Sequence, residues 1–257
     1  MLSPPVSKEL IKSLLIIALS TFVISFLLES FFVTNSKINK EISVVIHEGK
    51  TVKEINNLLT QNGVLRDGET LLNYNNIEGY LYPDTYRFYE GSTALVIKNK
   101  FLENFQNKAE PILKEDINNF DINLIIASII EKEVPDYEDR KIVAGLIKKR
   151  LSINMLLQLD ATLCYIKLYR DFSVDLEGES CYPITKSDKE IDSQYNTYLY
   201  KGLPPAPISN PGSEALQAVI EAKKSPYWFY LNDPKTGKTI FSRTLEEHNS
   251  NRYKYLN

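Results

Sequence analysis

The stretch DINLIIASIIEKEVP, residues 121–135, decides how the chain is read. Asp121 can cap a helix and Pro135 stops one, and nearly every side chain between them is apolar, so the stretch reads as a helix buried in a core. It ends on two acids. Helical geometry, at about 100° per residue, sends Glu131 and Glu133 in different directions. Leu124, Ala127 and Ser128 share the face of Glu131, whereas Ile126, Ile129 and Ile130 surround Glu133. Small side chains at Ala127 and Ser128 leave room for a ligand; isoleucines do not. Desolvation of an acid carried toward a cleft wall raises its pKa, as a general acid working near neutral pH requires. Glu131 is therefore the candidate acid, and Glu133 its support or the ion-pair partner of a nearby base. A structural account stays open, in which both glutamates close the helix end and pair with Lys132, Arg140 or Lys141.

Outward from this helix, residues 93–113 form an amphipathic pattern with Leu95, Val96, Phe101, Leu102 and Phe105 apolar. Residues 136–151 place Ile142, Val143, Leu146 and Ile147 on one side of a further helix. Nearer the amino terminus, ISVVIHEG (42–49) alternates as a strand does and ends at Gly49. TVKEINNLLTQNGV (51–64) is helical in period, with Thr51 and Glu54 spaced as a capping box and Asn62-Gly63 as the stop. Residues 155–190 are mixed, with one helix near 161–169. Beyond them come a proline-rich loop, a helix with Ser213 as its cap, and a hairpin around residues 234–237.

The apolar residues crowd the start. Residues 14–28 carry no charge, and the run continues to Val33 with Glu29 as its only charge. About twenty residues at about 1.5 Å rise span the roughly 30 Å of a bilayer core, so residues 13–33 read as a transmembrane helix. Bulky Phe31, Phe32 and Val33 do not suit the small-residue cleavage site of a signal peptide. The flanking charges are a tie: Lys8 and Lys12 precede the span, Lys37 and Lys40 follow it. Residues 1–12 form a short head and 34–41 a polar linker. If everything beyond Lys40 is exported, Cys164 and Cys181 face an oxidising space and can pair; two separate thiols are the other arrangement.

Composition removes several function classes. The 257 residues hold 30 Lys+Arg against 33 Asp+Glu, a net charge of −3, without the basic face of a nucleic-acid binder. Two cysteines and two histidines lie far apart and lack zinc-ligand spacing, so no metal site is expected. Phosphate-loop, G-x-S-x-G and H-E-x-x-H patterns do not occur. Two aromatic blocks remain. Tyr80, Tyr82 and Tyr86 lie beside Asp84, and Tyr195, Tyr198 and Tyr200 are interleaved with Asn196 and Thr197. Aromatic platforms with amide and carboxylate neighbours bind sugars, and the same rings build ordinary cores.

In this order, EGYLYPDTY (78–86), ASIIEKE (127–133), RL with MLLQLDAT (150–162), DSQYNTY (192–198), GLPPAPISNPG (202–212) and EHN (247–249) resemble the endolytic murein transglycosylases of the MltG/YceG-like family, in a short variant. The resemblance implies an α+β fold: the transmembrane helix, a reduced LysM-like β-α subdomain at 42–76, and a mixed α/β catalytic domain at 77–257. It implies a cytoplasmic amino terminus on a bacterial cell membrane and an extracytoplasmic remainder. The implied reaction cleaves the β-1,4 bond from N-acetylmuramic acid to N-acetylglucosamine within a glycan strand and leaves 1,6-anhydro ends, terminating nascent strands. By this resemblance Glu131, the first glutamate of ASIIEKE, corresponds to the family's catalytic glutamate, with Glu133 in support. Gln158, Asp160, Tyr195, Asn196, Thr197 and Tyr198 match motifs that line the cleft, and Glu78 and Tyr82 lie in a further matching motif. No cofactor is implied. The implied partners are peptidoglycan strands, the membrane, and peptidoglycan synthases or division proteins, with no nucleic acid. Two other readings fit the same residues: a hydrolytic muramidase using Glu131 and Asp160, and a non-catalytic peptidoglycan-binding scaffold. The chain departs from the family pattern at Lys149, Asn154, Leu159, Ala161 and Gln194, and in the shortness of the LysM-like part.

Overall fold

A computed structural model describes residues 20–21, 40–169 and 181–256. The expected membrane span 13–33 lies outside the described residues, apart from helical Ser20 and Thr21; among the described residues no helix is long and apolar enough to cross a membrane. The architecture below is that of the unit Glu41–Asn257.

Two small cores organise it. In the first, β1 (Glu41–Val45) pairs antiparallel with β2 (Thr85–Tyr89), setting Ile42 opposite Phe88 and Val44 opposite Tyr86. The period-2 pleat turns Val44, Tyr86 and Phe88 inward. The helix α1 (Val52–Gln61) starts as its sequence requires: the Thr51 hydroxyl accepts from the Glu54 N–H at 3.3 Å, and the Glu54 carboxylate accepts from the Thr51 N–H at 2.9 Å. Its buried face carries Ile55 and Leu59. This core does not stop at Asn76. It takes in β2 and α2 (Ala94–Lys108) through Ala94, Ile97 and Phe101. The strand at β2 is missing from the sequence reading because TYRFY is short and sits among tyrosines, a proline and glycines that equally suit turns. Gly79, in the same block, has φ +89°, and a Cβ there would lie 2.6 Å from the Pro207 ring.

The second core is built around α4 (Phe120–Glu133), whose Leu124, Ile126, Ala127, Ile129 and Ile130 are fully covered. Helices α5 (Tyr137–Ser152) and α7 (Ser213–Ile220) pack against α4 and each other, bringing Val143, Ala144, Ile147, Leu216 and Val219 to it. Three details differ from the sequence expectation. The helix expected over 93–113 divides at Ala109 into α2 and α3 (Glu110–Leu113), because the proline at 111 cannot continue the preceding hydrogen-bond ladder. Asp121 falls in the first turn of α4, behind Asn119 at the cap. Ser213 is likewise the first helical residue, with Gly212 at the cap. By contrast, Asp136 caps α5 by accepting from the Asp139 N–H at 3.0 Å.

The carboxyl-terminal part completes one side of the second core. The expected hairpin is β3 (Phe229–Asn232) against β4 (Thr239–Ser242), and helix α8 (Leu245–Leu256) packs on it. Helix α6 (Asp160–Tyr169) packs on α4. Cys164 in α6 and Cys181 form a disulfide with Cα atoms 5.2 Å apart, which decides between pairing and separate thiols.

Candidate active site

The last turn of α4 sends its two glutamates into different surroundings. Glu131 turns back into the protein. Its Oε1 accepts from Arg140 Nη2 at 2.8 Å and its Oε2 from the Gly212 N–H at 3.0 Å, with the Glu131 and Arg140 side chains 5% and 7% exposed. Arg140 also donates to the Val134 carbonyl at 2.7 Å and lies 3.8 Å from Glu214. Glu48 stands beside this group, and its carboxyl is raised first by burial and then by the charge of Glu131. Glu131 thus ties α4 to α5 and to the start of α7. The room expected beside it is absent, because Ala127 and Ser128 are filled over: the Ser128 hydroxyl accepts from the Ile208 N–H, and Ser209 donates to the Ser128 carbonyl.

Glu133 faces the other way. Its Oε1 accepts from the Ala161 N–H at 2.9 Å, in the first turn of α6, and its Oε2 accepts from the Tyr230 hydroxyl at 3.0 Å. Asn232 fixes the backbone by donating to the Glu133 carbonyl at 2.6 Å. Burial pushes the Glu133 carboxyl above the usual range and the charge of Asp160 adds to this, against the hydrogen bonds from Ala161 and Tyr230. Burial likewise raises Tyr230 well above its ordinary value, which keeps the phenol neutral.

Glu133 lines a cleft of about 1080 Å³. It is lined by Gln158, Asp160 and Tyr198, by residues of the β3–β4 hairpin, and by His248 and Arg252 from α8. The Tyr198 hydroxyl donates to Asp160 Oδ1 at 2.5 Å. Gln158 has φ +52°, outside the usual range for a residue with a side chain, and its N–H donates to the Thr197 carbonyl at 3.0 Å. Arg150, 5% exposed, reaches the cleft from α5 and donates to the Leu157 and Trp228 carbonyls.

Of the other sequence candidates, Asn196 and Thr197 hold the lining at Gln158, Asp160 and Tyr198 from behind, and Tyr195, Tyr82 and Glu78 lie elsewhere in the cores. Asn196 is fully buried, donating to the Lys189 and Ile191 carbonyls and accepting from the Tyr198 N–H. The Thr197 hydroxyl accepts from the Leu159 N–H at 2.9 Å and lies 3.0 Å from the Thr162 hydroxyl. Tyr195 packs on Tyr165, with ring centroids 5.0 Å apart. Tyr82 is buried, its carbonyl accepting from the Tyr86 hydroxyl. Glu78 sits at the start of α1, accepting from the Val52 N–H at 3.2 Å and from Asn210 at 3.0 Å, and burial pushes its carboxyl up to about 8. None of these five lines the cleft. Sequence reasoning missed Tyr230, Asn232 and Arg252, which meet Glu133 or its cleft only through the hairpin and the last helix, and it left Arg150, quoted in the RL motif, without a site role. The one signal for this region was EHN, which contains the cleft residue His248. Among the described residues no group of acidic, histidine or cysteine side chains is arranged to hold a metal ion.

The model of the YceG-like family matches residues 26–254. A Bacillus subtilis (strain 168) protein named "Endolytic murein transglycosylase" is 33% identical over 188 residues, 70% of this chain and 48% of its own. A protein of the same name from Streptococcus pneumoniae (serotype 2, strain D39) is 30% identical over 184 residues, 70% of this chain and 32% of its own. The chain thus spans about half and a third of the length of these curated relatives. A crystal structure of a YceG-like protein from Listeria monocytogenes superposes with a TM-score of 0.65 at 33% identity, over 81% of this chain and 75% of that one.

Proposed function

The chain belongs to the YceG-like family, and from that premise we propose that it is a lytic transglycosylase of peptidoglycan with Glu133, rather than Glu131, as its acid and base. The carrying observation is the placement of Glu133: in the cleft wall, its carboxyl raised by burial, held by one N–H and one hydroxyl. Glu131 suits a strut, since its charge is spent on Arg140 and it is closed off from the cleft.

Protonated Glu133 gives its proton to the glycosidic oxygen as the bond from that oxygen to C1 of the muramic residue breaks. The C6 hydroxyl of the same residue then attacks C1, and the Glu133 carboxylate takes its proton. The products are a free hydroxyl on the departing N-acetylglucosamine and a 1,6-anhydro ring, with the acid regenerated and no water consumed. One carboxyl serves both steps because the nucleophile belongs to the substrate, unlike the two-carboxylate arrangement of most glycoside hydrolases. The curated names of the relatives support the substrate class. Asp160 supports a second reading, hydrolysis, because it lines the same cleft and its charge acts on Glu133.

The proposal extends to an anchor at residues 13–33, with the rest of the chain extracytoplasmic, where the Cys164–Cys181 disulfide is at home. Strand termination beside peptidoglycan synthases, and a LysM-like role for residues 42–76, rest on the sequence resemblance. The test is digestion of purified peptidoglycan by the detergent-solubilised chain, with product masses: anhydro ends support transglycosylation, reducing ends select hydrolysis, and no release rejects both.

A further inference from the structure

We infer that Lys189 and Arg252 form a carboxylate-reading edge of the cleft, which takes the peptide stem carried by the muramic residue; the inference rests on the peptidoglycan reading above. The chain as a whole is slightly acidic, yet among the described residues the cleft gathers Lys132, Arg150, Lys189 and Arg252 against Glu133 and Asp160. Two of these cations are occupied. Lys132 donates to the Gly49 carbonyl at 3.2 Å, and the buried Arg150 is held by the Leu157 and Trp228 carbonyls. The other two face the cleft differently. Lys189 is half-buried, with its Nζ 4.6 Å from the centre of the Tyr198 ring, and Arg252 is exposed on α8, close enough to act electrostatically on the Tyr198 hydroxyl. Among the described residues neither is in an ion pair with a carboxylate. Both line the cleft that Tyr198 and Asp160 share, and among the described residues no carboxylate neutralises either charge.

Sugar hydroxyl and acetamido groups are neutral and need no cation. The stem peptide on the lactyl group of muramic acid carries free carboxylates, and a guanidinium fork and an ammonium lining one cleft suit such groups. Placed at the cleft edge, the pair acts through attraction and orientation, leaving the chemistry to Glu133.

The test compares glycan strands bearing native stems with the same strands after carbodiimide and ammonia have converted the stem carboxylates to amides. The full chain is assayed for kcat/KM and, separately, for sedimentation with the two kinds of sacculi. The expected result is a loss of about tenfold in kcat/KM and in binding on amidation. The double variant Lys189→Gln, Arg252→Gln should lose about as much on native strands and be indifferent to amidation. Equal binding and cleavage of both substrates by the wild type, or equal losses by the variant on both, overturns the inference. If no fragments are released at all, the sedimentation ratio still decides the carboxylate edge, while the transglycosylase reading fails by itself.

Discussion

Neutralising each glutamate of the last α4 turn in separate variants, Glu131→Gln and Glu133→Gln, separates scaffold from chemistry. The Glu131 and Arg140 side chains are 5% and 7% exposed and 2.8 Å apart, so Glu131→Gln strands a buried guanidinium. Removing one member of such a pair costs about 3–5 kcal/mol. The value here belongs at the lower end, about 3 kcal/mol, because Arg140 keeps the Val134 carbonyl at 2.7 Å and Glu214 at 3.8 Å, and the new amide oxygen still accepts from Gly212. For a domain of this size that is a fall of about 6–12 °C in Tm. Glu133→Gln keeps an oxygen for the Ala161 N–H and replaces a carboxyl that burial already holds toward its neutral form, so stability changes by about 1 kcal/mol or less. Its turnover should fall by about 10²–10⁴, the usual share of general acid–base catalysis. Thermal unfolding of both variants, beside release of anhydro-ended fragments per folded molecule, reads the two effects apart. A Glu131→Gln protein with wild-type Tm and no activity, or a Glu133→Gln protein with near wild-type activity, refutes the assignment.

Replacing Tyr230 with Phe removes the hydroxyl that steadies the Glu133 carboxylate at 3.0 Å; kcat should fall about tenfold, and the alkaline limb of the pH–rate profile should move to higher pH. Reduction of the Cys164–Cys181 disulfide, which closes a separation of 17 residues, should cost about 3 kcal/mol, measured by denaturant titration with and without reductant. Gly145→Ala sets a Cβ 1.9 Å from the Lys223 carbonyl oxygen, so α5 and the chain after α7 must part, for a loss of about 1–3 kcal/mol in chemical denaturation. Glu78 has its carboxyl raised from 4.5 to about 8 in the fold, so it stays protonated where the unfolded chain has ionised; stability should drop as pH rises from 4.5 through about 8, and Glu78→Gln should flatten that slope.

What could be read from sequence was what local rules govern. The capping box at Thr51, the helix beginning at about residue 136, the buried helix through Ile126 and Ile130, and the β3–β4 hairpin all follow from neighbours within four residues or from period alone. The direction of Glu131 and Glu133 does not. Periodicity separates their faces, but which face meets a cleft depends on what packs there, and the small Ser128 is bonded to residues 208 and 209, some eighty positions away. The same limit hides β2, whose partner β1 lies forty positions earlier in the chain. Motif residues divided similarly: Gln158, Asp160 and Tyr198 reach the cleft, while Asn196 and Thr197 between them hold its backbone in place.

That division bears on how one carboxyl can serve as both acid and base. The Ala161 N–H can only donate, so it favours the ionised form of Glu133, while burial favours the neutral one, and the two oppose each other at a single group. The Tyr230 hydroxyl is able to follow the change. Kept neutral by its own burial, it donates to the carboxylate and can turn its proton away to accept from the carboxylic acid, so neither state is left without a partner. In the proposed reaction, as the proton leaves for the glycosidic oxygen, charge grows on Glu133 with the Ala161 N–H already in place, and the Tyr230 hydroxyl needs only a rotation about its C–O bond to donate as well. A lone carboxyl in an apolar pocket would be a ready acid and a poor carboxylate; a fully solvated one would be the reverse. The site balances the two by taking the acid from α4, the N–H from α6 and the hydroxyl from β3, three elements that meet only when the second core is formed.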